Sequence, residues 1–174
     1  MVTIRQEQKN DYRKTEEVVQ QAFLHEEFSD KTEHALVKRI RECDAFVPEL
    51  SIVAVDEDIV GHIMLSKITI EQGGTSVESL ALAPVLVVRD HQKKGIGGKL
   101  ITVALEKAKE LGYGSVVVLG HPGYYPKFGF KKASEWNIKA PFEVPDEVFM
   151  VIELSENALQ GVEGVVQYSS AFAE

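Results

Sequence analysis

One cysteine and one tryptophan stand in a chain of 174 residues. The lone Cys43 excludes an internal disulfide and any paired-cysteine zinc or redox motif, which points to a reducing, cytoplasmic setting. It falls on an apolar helical face and reads as core rather than nucleophile. The five histidines (25, 34, 62, 91 and 121) show no His-x-x-x-His spacing and have no cysteine partners, so no metal site is expected. No apolar run approaches the ~20 residues that cross a bilayer. The N-terminus, Met1-Val2-Thr3-Ile4-Arg5-Gln6-Glu7, alternates instead of building a signal peptide's apolar stretch. Neither a membrane partner nor an export signal is therefore expected. Basic residues are also scarce: 19 Lys and Arg against 27 Asp and Glu give a net charge of −8. That balance excludes non-specific nucleic-acid binding and mildly favours a cationic substrate. The 44% of hydrophobic residues is enough for a single sizeable core.

The chain reads as alternating strands and helices with no internal repeat. Val2 to Gln6 alternates as an edge strand. Asn10 or Asp11 caps a helix reaching about Leu24, with Tyr12, Val18, Val19, Ala22 and Phe23 at helical spacing. His25 to Ser29 is a connector. Asp30 with Glu33 resembles a capping arrangement for a second helix over Thr32 to Cys43, with Ala35, Leu36, Ile40 and Cys43 inward. Strands follow over Leu50 to Val55, Ile59 to Ile70 and Thr75 to Leu82, with Gly73-Gly74 as a hairpin turn. A further stretch reaches Val88, and Pro84 predicts a bulge near Ala83-Pro84 because proline removes a ladder donor. A helix over Gly97 to Leu111 carries Leu100, Ile101, Ala104, Leu105, Ala108 and Leu111 on one stripe, and Gly112 ends it. Val116 to Gly120 is apolar throughout and reads as buried on both faces. Phe130 to Lys132 and Val148 to Leu154 complete the sheet as an antiparallel pair. The expected organisation is one domain over residues 2–154. Residues 155–174 form a tail with no Lys or Arg, either disordered or carrying a short strand at Val165-Val166-Gln167-Tyr168.

The most informative stretch runs from Val85 to Leu100. A β-branched strand enters the turn Gln92-Lys93-Lys94-Gly95-Ile96-Gly97-Gly98 and opens directly into a helix. A helix N-terminus offers unpaired N–H groups and positive dipole, glycines let backbone approach a phosphate, and lysines add charge. The physical reading is a pyrophosphate cradle. A Walker loop is excluded twice: Gly98-Lys99 is followed by Leu100, and the position five before Gly98 is Lys93. The dinucleotide fingerprint fails because Leu100 stands where its third glycine belongs.

What does fit is Gln/Arg-x-x-Gly-x-Gly/Ala, here Gln92-Lys93-Lys94-Gly95-Ile96-Gly97. This resembles the coenzyme A loop of the GNAT superfamily, the Gcn5-related N-acetyltransferases. A second motif agrees. Tyr125-Pro126-Lys127-Phe128-Gly129-Phe130 follows the run Ser115 to Leu119 and is similar to the family's Tyr-x-x-x-Gly-Phe signature. Val144 to Val151 resembles the last strand entry of small bacterial members. The resemblance spans Thr3 to Leu154. It implies an α/β (α+β) fold with a mixed, mostly antiparallel sheet of about six or seven strands, flanking helices and a splayed central strand pair. It implies acetyl-CoA as cosubstrate and direct acetyl transfer to an amine of a small molecule or peptide.

The resemblance also implies site residues. Backbone N–H groups of Val85, Leu86 and Val87 would polarise the thioester, and the amides from Gln92 through Gly98, with the Gln92 side chain, would hold the pyrophosphate. Lys93 and Lys94 would add charge. Tyr125 is the candidate general acid for the departing thiolate, since a phenol pKa of ~10 lies near a thiol's ~8.5. The general base stays open. His121 has the most suitable intrinsic pKa, Glu78 lies before the bulge, and Glu143, Asp146 and Glu147 sit near the sheet's end. Many family members carry an asparagine near His121 that contacts the coenzyme, and this chain has Gly120-His121-Pro122-Gly123 there. Three alternatives share the loop: a non-catalytic acyl-CoA sensing module, a longer acyl donor, or an oxygen acceptor. The protein is expected to be a monomer or homodimer.

Overall fold

The computed structural model describes residues 1–24 and 31–173; the expected connector at 25–29 and the cap at Asp30 lie outside the described residues. In chain order the elements are β1 (Thr3–Gln6), α1 (Tyr12–Phe23), α2 (Glu33–Arg41), β2 (Phe46–Asp56), β3 (Asp58–Gln72), β4 (Thr75–Val87), α3 (Ile96–Glu110), β5 (Ser115–Leu119), β6 (Lys131–Lys132), β7 (Ile138–Lys139), β8 (Phe149–Glu153) and β9 (Gly164–Gln167). The sheet runs β1-β2-β3-β4-β5-β8-β6, with β9 pairing β3 and β7. It is antiparallel except for β4–β5 and β7–β9. The nine strands among the described residues exceed the six or seven expected. The two-residue β6 and β7 and the four-residue β9 are too short to show a period-2 pattern.

Local chemistry explains the long elements. Gly73 and Gly74 both take positive φ (53° and 86°), which a tight two-residue hairpin turn requires. They let β3 and β4 pair over most of their length. α3 buries Ile96, Leu100, Ile101, Ala104 and Ala108 against one sheet face. Leu111, expected on that stripe, is 38% exposed because the helix ends at Glu110 and Gly112 turns the chain. α1 and α2 cover the other face over β2 and β3, with Val18, Val19, Val37 and Ile40 innermost. Cys43 lies just past α2, half-buried, with its Sγ donating to the Ile40 carbonyl. β9 and its neighbours extend that face: Leu159, Val166 and Ala171 are buried.

A buried polar chain ties this second face together. Arg41 bridges Glu7 (2.5 Å) and Glu16 (2.6 Å), and its guanidinium lies 4.0 Å over the Tyr12 ring. The Ser51 hydroxyl donates to Glu7 at 2.6 Å and lies 3.0 Å from His62 Nε2. Since its one proton goes to a carboxylate, Ser51 accepts from His62, which fixes the Nε2–H tautomer. Burial, then the Arg41 charge, push the His62 pKa down to about 3, so the ring is neutral.

Candidate active site

β4 and β5 pair at only two positions, Leu80↔Val116 and Ala81↔Val117. Beyond them β4 bulges: β3 advances from Leu65 to Ile63 while β4 advances from Leu82 to Val85, one residue more. The extra residue falls at Ala83-Pro84, as proline predicts. β4 then leaves β5, and the gap between them is the splayed pair.

Alternation along β4 decides which amides face the gap. Val88 N–H donates to the Val60 carbonyl at 2.8 Å, so that pair is hydrogen-bonded across β3–β4. Two residues earlier, Leu86 opposes His62 in the same phase, so its amide is spent on β3. Val85 and Val87 therefore present their amides to the gap. The expected set of three free donors reduces to two. The Val87 carbonyl, on that same side, accepts the Gln92 side-chain amide at 3.0 Å. Gln92 thus braces the loop against β4 rather than reaching outward.

The glycine turn has the geometry of an anion cradle. Gly95 caps α3 in the left-handed region (φ 78°), and Lys93 shares that conformation at φ 65°. The first intrahelical bond runs from Lys99 N–H to the Gly95 carbonyl at 3.1 Å. The amides of Ile96, Gly97 and Gly98 precede it and carry no intrahelical partner, so they point along the positive end of α3. A groove of about 540 Å³ joins this turn to Val85–Val87 and is also lined by Phe23, Tyr124 and Lys127. Lys93 lines it; Lys94 does not. His91, just before the turn, is held by Asp56 at 3.1 Å, and Asp56 lies 3.6 Å from the N-terminal amine. The His91 hydrogen bond, then the ammonium, keep the Asp56 carboxyl below its usual range.

Tyr125 packs on Gly120 just past β5 and belongs to the core beneath α3; Tyr124, not Tyr125, lines the groove. The Tyr125 ring makes edge contacts with Phe130 (5.7 Å) and Tyr124 (5.1 Å). A side chain at Gly120 would overlap that ring, which accounts for the glycine there. Burial, then Tyr124, push the Tyr125 phenol up to about 12, so it keeps its proton at neutral pH. Tyr124 was not legible as a site residue, yet it lines the groove. Its hydroxyl lies where a Gly97 Cβ would approach it to 3.4 Å. The Tyr-x-x-x-Gly-Phe spacing singles out one tyrosine, and only the tight turn after β5 brings its neighbour to the loop.

The candidate bases separate. His121 is exposed, and its Nδ1 accepts the Gly123 N–H at 3.0 Å, bracing the turn that carries both tyrosines. Glu78 is excluded from the gap. It lies on the far side of Leu80 and Ala81, where β4 still pairs with β5, seven residues before Val85. It faces Tyr113 instead, whose phenol is raised by burial and then by Glu78. Glu143 and Asp146 line a second cleft beside β8. Among the described residues no group of three or more His, Cys, Asp or Glu is placed to hold a metal, and no helix is long and apolar enough to cross a membrane.

The fold is shared with known proteins. Residues 3–133 match the family described as an acetyltransferase (GNAT) domain. This chain is a GNAT acetyltransferase. It is 31% identical over 153 residues to the uncharacterised N-acetyltransferase YhbS of Escherichia coli K12, covering 87% of this chain and 89% of that protein. It is 35% identical over 122 residues to YjhQ of the same organism, covering 69% and 67%. The crystal structure of E. coli YhbS in complex with CoA superposes with a TM-score of 0.89 at 26% identity, over 99% of this chain and 92% of that one. A Brucella melitensis GNAT acetyltransferase in complex with acetyl-CoA superposes at 0.81 and 30% identity, over 99% and 98%.

Proposed function

We propose that this acetyltransferase moves the acetyl group of acetyl-CoA directly onto an amine of a small molecule or peptide. One observation carries the reading: two unpaired β4 amides and the open N-terminus of α3 face one groove, with the protonated Tyr125 packed at the end of β5 behind Tyr124. The amides of Ile96 to Gly98 fit a pyrophosphate, and Lys93 adds charge at its side. Val85 and Val87 fit the thioester carbonyl, whose oxygen gains negative charge as the amine attacks. Preorganised donors of this kind are worth on the order of 3 kcal/mol each. As the carbon–sulfur bond breaks, Tyr125 gives its proton to the thiolate. The amine's own proton leaves to solvent or to the exposed His121.

CoA and acetyl-CoA in the two solved relatives support the donor. A sensing module would need the loop but not Tyr125, and Tyr125 is present and buried behind Tyr124. The test is thiol release from acetyl-CoA across a panel of amines, with acetyl-CoA binding measured by calorimetry. Tyr125→Phe should bind acetyl-CoA within a few fold of the parent and turn over ~10²-fold more slowly. Binding without turnover of any amine favours the sensing module. Turnover of alcohols or of longer acyl donors instead redirects the reading. If Tyr125→Phe turns over normally, the acid assignment is wrong.

A further inference from the structure

Coenzyme A carries more charge than the cradle accounts for. Besides its pyrophosphate it bears a phosphate on the ribose 3′ oxygen. The amides of Ile96 to Gly98, the α3 dipole and Lys93 fit the pyrophosphate alone. The chain as a whole has a net charge of −8, so local positive charge must hold a further dianion against that background. Among the described residues that line the groove, the only Lys or Arg side chains are Lys93 and Lys127, and no Asp or Glu joins them.

The turn after β5 builds the wall that carries Lys127. There a Cβ on Gly98 would lie 3.6 Å from the Phe128 ring, and one on Gly97 would lie 3.4 Å from the Tyr124 hydroxyl. The wall therefore stands against the first turn of α3. The Lys127 ammonium lies 4.0 Å over the Tyr124 ring and 5.5 Å from the centre of Phe128. Tyr124 is itself held edge-on by Phe128 at 5.3 Å and by Tyr125 at 5.1 Å. Ring faces fix a cation without neutralising it. Among the described residues no carboxylate lies within ion-pair distance of this ammonium, whereas Lys107 and Lys132 each lie 3.9 Å from one. Lys127 also lines a cleft of about 380 Å³ that runs along α3 past Thr102 and Lys109. As the residue common to both cavities, it stands where the groove opens outward. The carboxylates of that cleft, Glu106 and Glu153, do not line the groove, and Glu153 accepts the Leu159 N–H at 2.9 Å.

We infer that Lys127, aimed by the Tyr124 ring, binds the 3′-phosphate of CoA at the outer end of the groove and makes the protein select the 3′-phosphorylated coenzyme. The inference rests on the acetyltransferase reading and deepens its donor site. Lys127 occupies an unspecified place in Tyr-x-x-x-Gly-Phe, so the motif itself assigns it nothing. The contact is a charge-assisted one between ammonium and phosphate oxygens. Tyr124 acts through Lys127 as a positioning residue, and its ring rather than its hydroxyl does so.

Calorimetry on the full chain compares CoA with 3′-dephospho-CoA. The parent should bind CoA about tenfold or more tightly than the dephospho form, the scale of one charge-assisted contact. Lys127→Met, at an exposed position, keeps the length of the stem without its charge. It should bind the two ligands alike, and Lys127→Arg should keep the preference. Tyr124→Leu should reduce the preference by about two- to fivefold, as loss of an exposed cation–π contact does. Tyr124→Phe, which retains the ring, should keep it. Equal binding of the two ligands by the parent overturns the inference. So does a Lys127→Met protein that keeps the preference, or one that weakens both ligands to the same degree, which would put Lys127 on the pyrophosphate instead. A preference undiminished in Tyr124→Leu overturns the positioning role. Failure to bind either ligand is a different result: it removes the acetyltransferase reading itself.

Discussion

Beneath α1, the carboxylate of Glu7 is held by the guanidinium of Arg41 and the hydroxyl of Ser51, and Ser51 meets the ring of His62, all out of water, with Arg41 Nε and His62 Nδ1 left without a protein partner. A few residues away, where β4 passes into α3, the amides of Val85, Val87 and Ile96 to Gly98 have no partner within their own elements. Both regions are rich in polar groups. The closed set spends its hydrogen bonds on joining β1, α1, α2, β2 and β3. The open set keeps its bonds for a ligand. A buried polar group without a partner costs about 1–3 kcal/mol, so such donors persist only where something regularly fills them or where water reaches them.

The comparison breaks most visibly at Arg41. Arg41→Leu leaves Glu7 buried as an unpaired carboxylate and should cost about 3–5 kcal/mol of stability in urea unfolding. A loss under about 1 kcal/mol would mean the closed set does not hold the face together. Gly97→Val is its mirror image on the open side. A Cβ there meets Tyr124 and crowds the approach of a phosphate. With one charge-assisted bond worth about 1.5–3 kcal/mol, acetyl-CoA affinity should fall about tenfold or more. Stability should move by less than about 1 kcal/mol. Unchanged affinity in the folded variant would sink the cradle.

A third prediction sharpens the closed side through pH. His62 titrates at about 3 in the fold and near ~6.5 when unfolded. Between those values the unfolded chain binds more protons, so stability is full above ~6.5 and is lost as pH falls toward 3. His62→Gln should flatten the parent's loss between pH 6.5 and 4; parallel curves would show that the ring is not the source. The smallest effect is expected at the loop's brace. Asp56→Asn weakens the hold on His91 and should reduce acetyl-CoA affinity by about two- to fivefold, since an exposed pair contributes little.

Local signals were legible where one stretch of chain carries the whole cause. Gly95 to Gly98 form the turn and α3 in one run, and Pro84 placed the bulge because a missing donor acts where it stands. The stripe of α3 and the Tyr125 motif are likewise contiguous. Groups brought in by another strand were not legible. Glu78 sits on the right strand, yet it lies beyond Leu80 and Ala81, where β4 still pairs with β5, and so outside the gap. Tyr124 lines the groove only because the turn after β5 folds back onto Gly97. Ser51 and His62 meet through the register of β2 and β3, which their spacing in sequence does not display.

By itself, then, the sequence determined the family, the strand–turn–helix that carries the coenzyme motif, the bulge and the tyrosine of the second motif. Each rests on backbone preferences and short-range spacing that a contiguous segment holds alone. Tertiary structure alone decided that Leu86's amide is spent on β3 while those of Val85 and Val87 are free, that burial and the Arg41 charge keep His62 neutral, and that Tyr124 lines the groove. Those outcomes depend on strand register, sheet face and burial. These are set when segments far apart in the chain pack together, and only then do dielectric and hydrogen-bond competition assign each polar group its role.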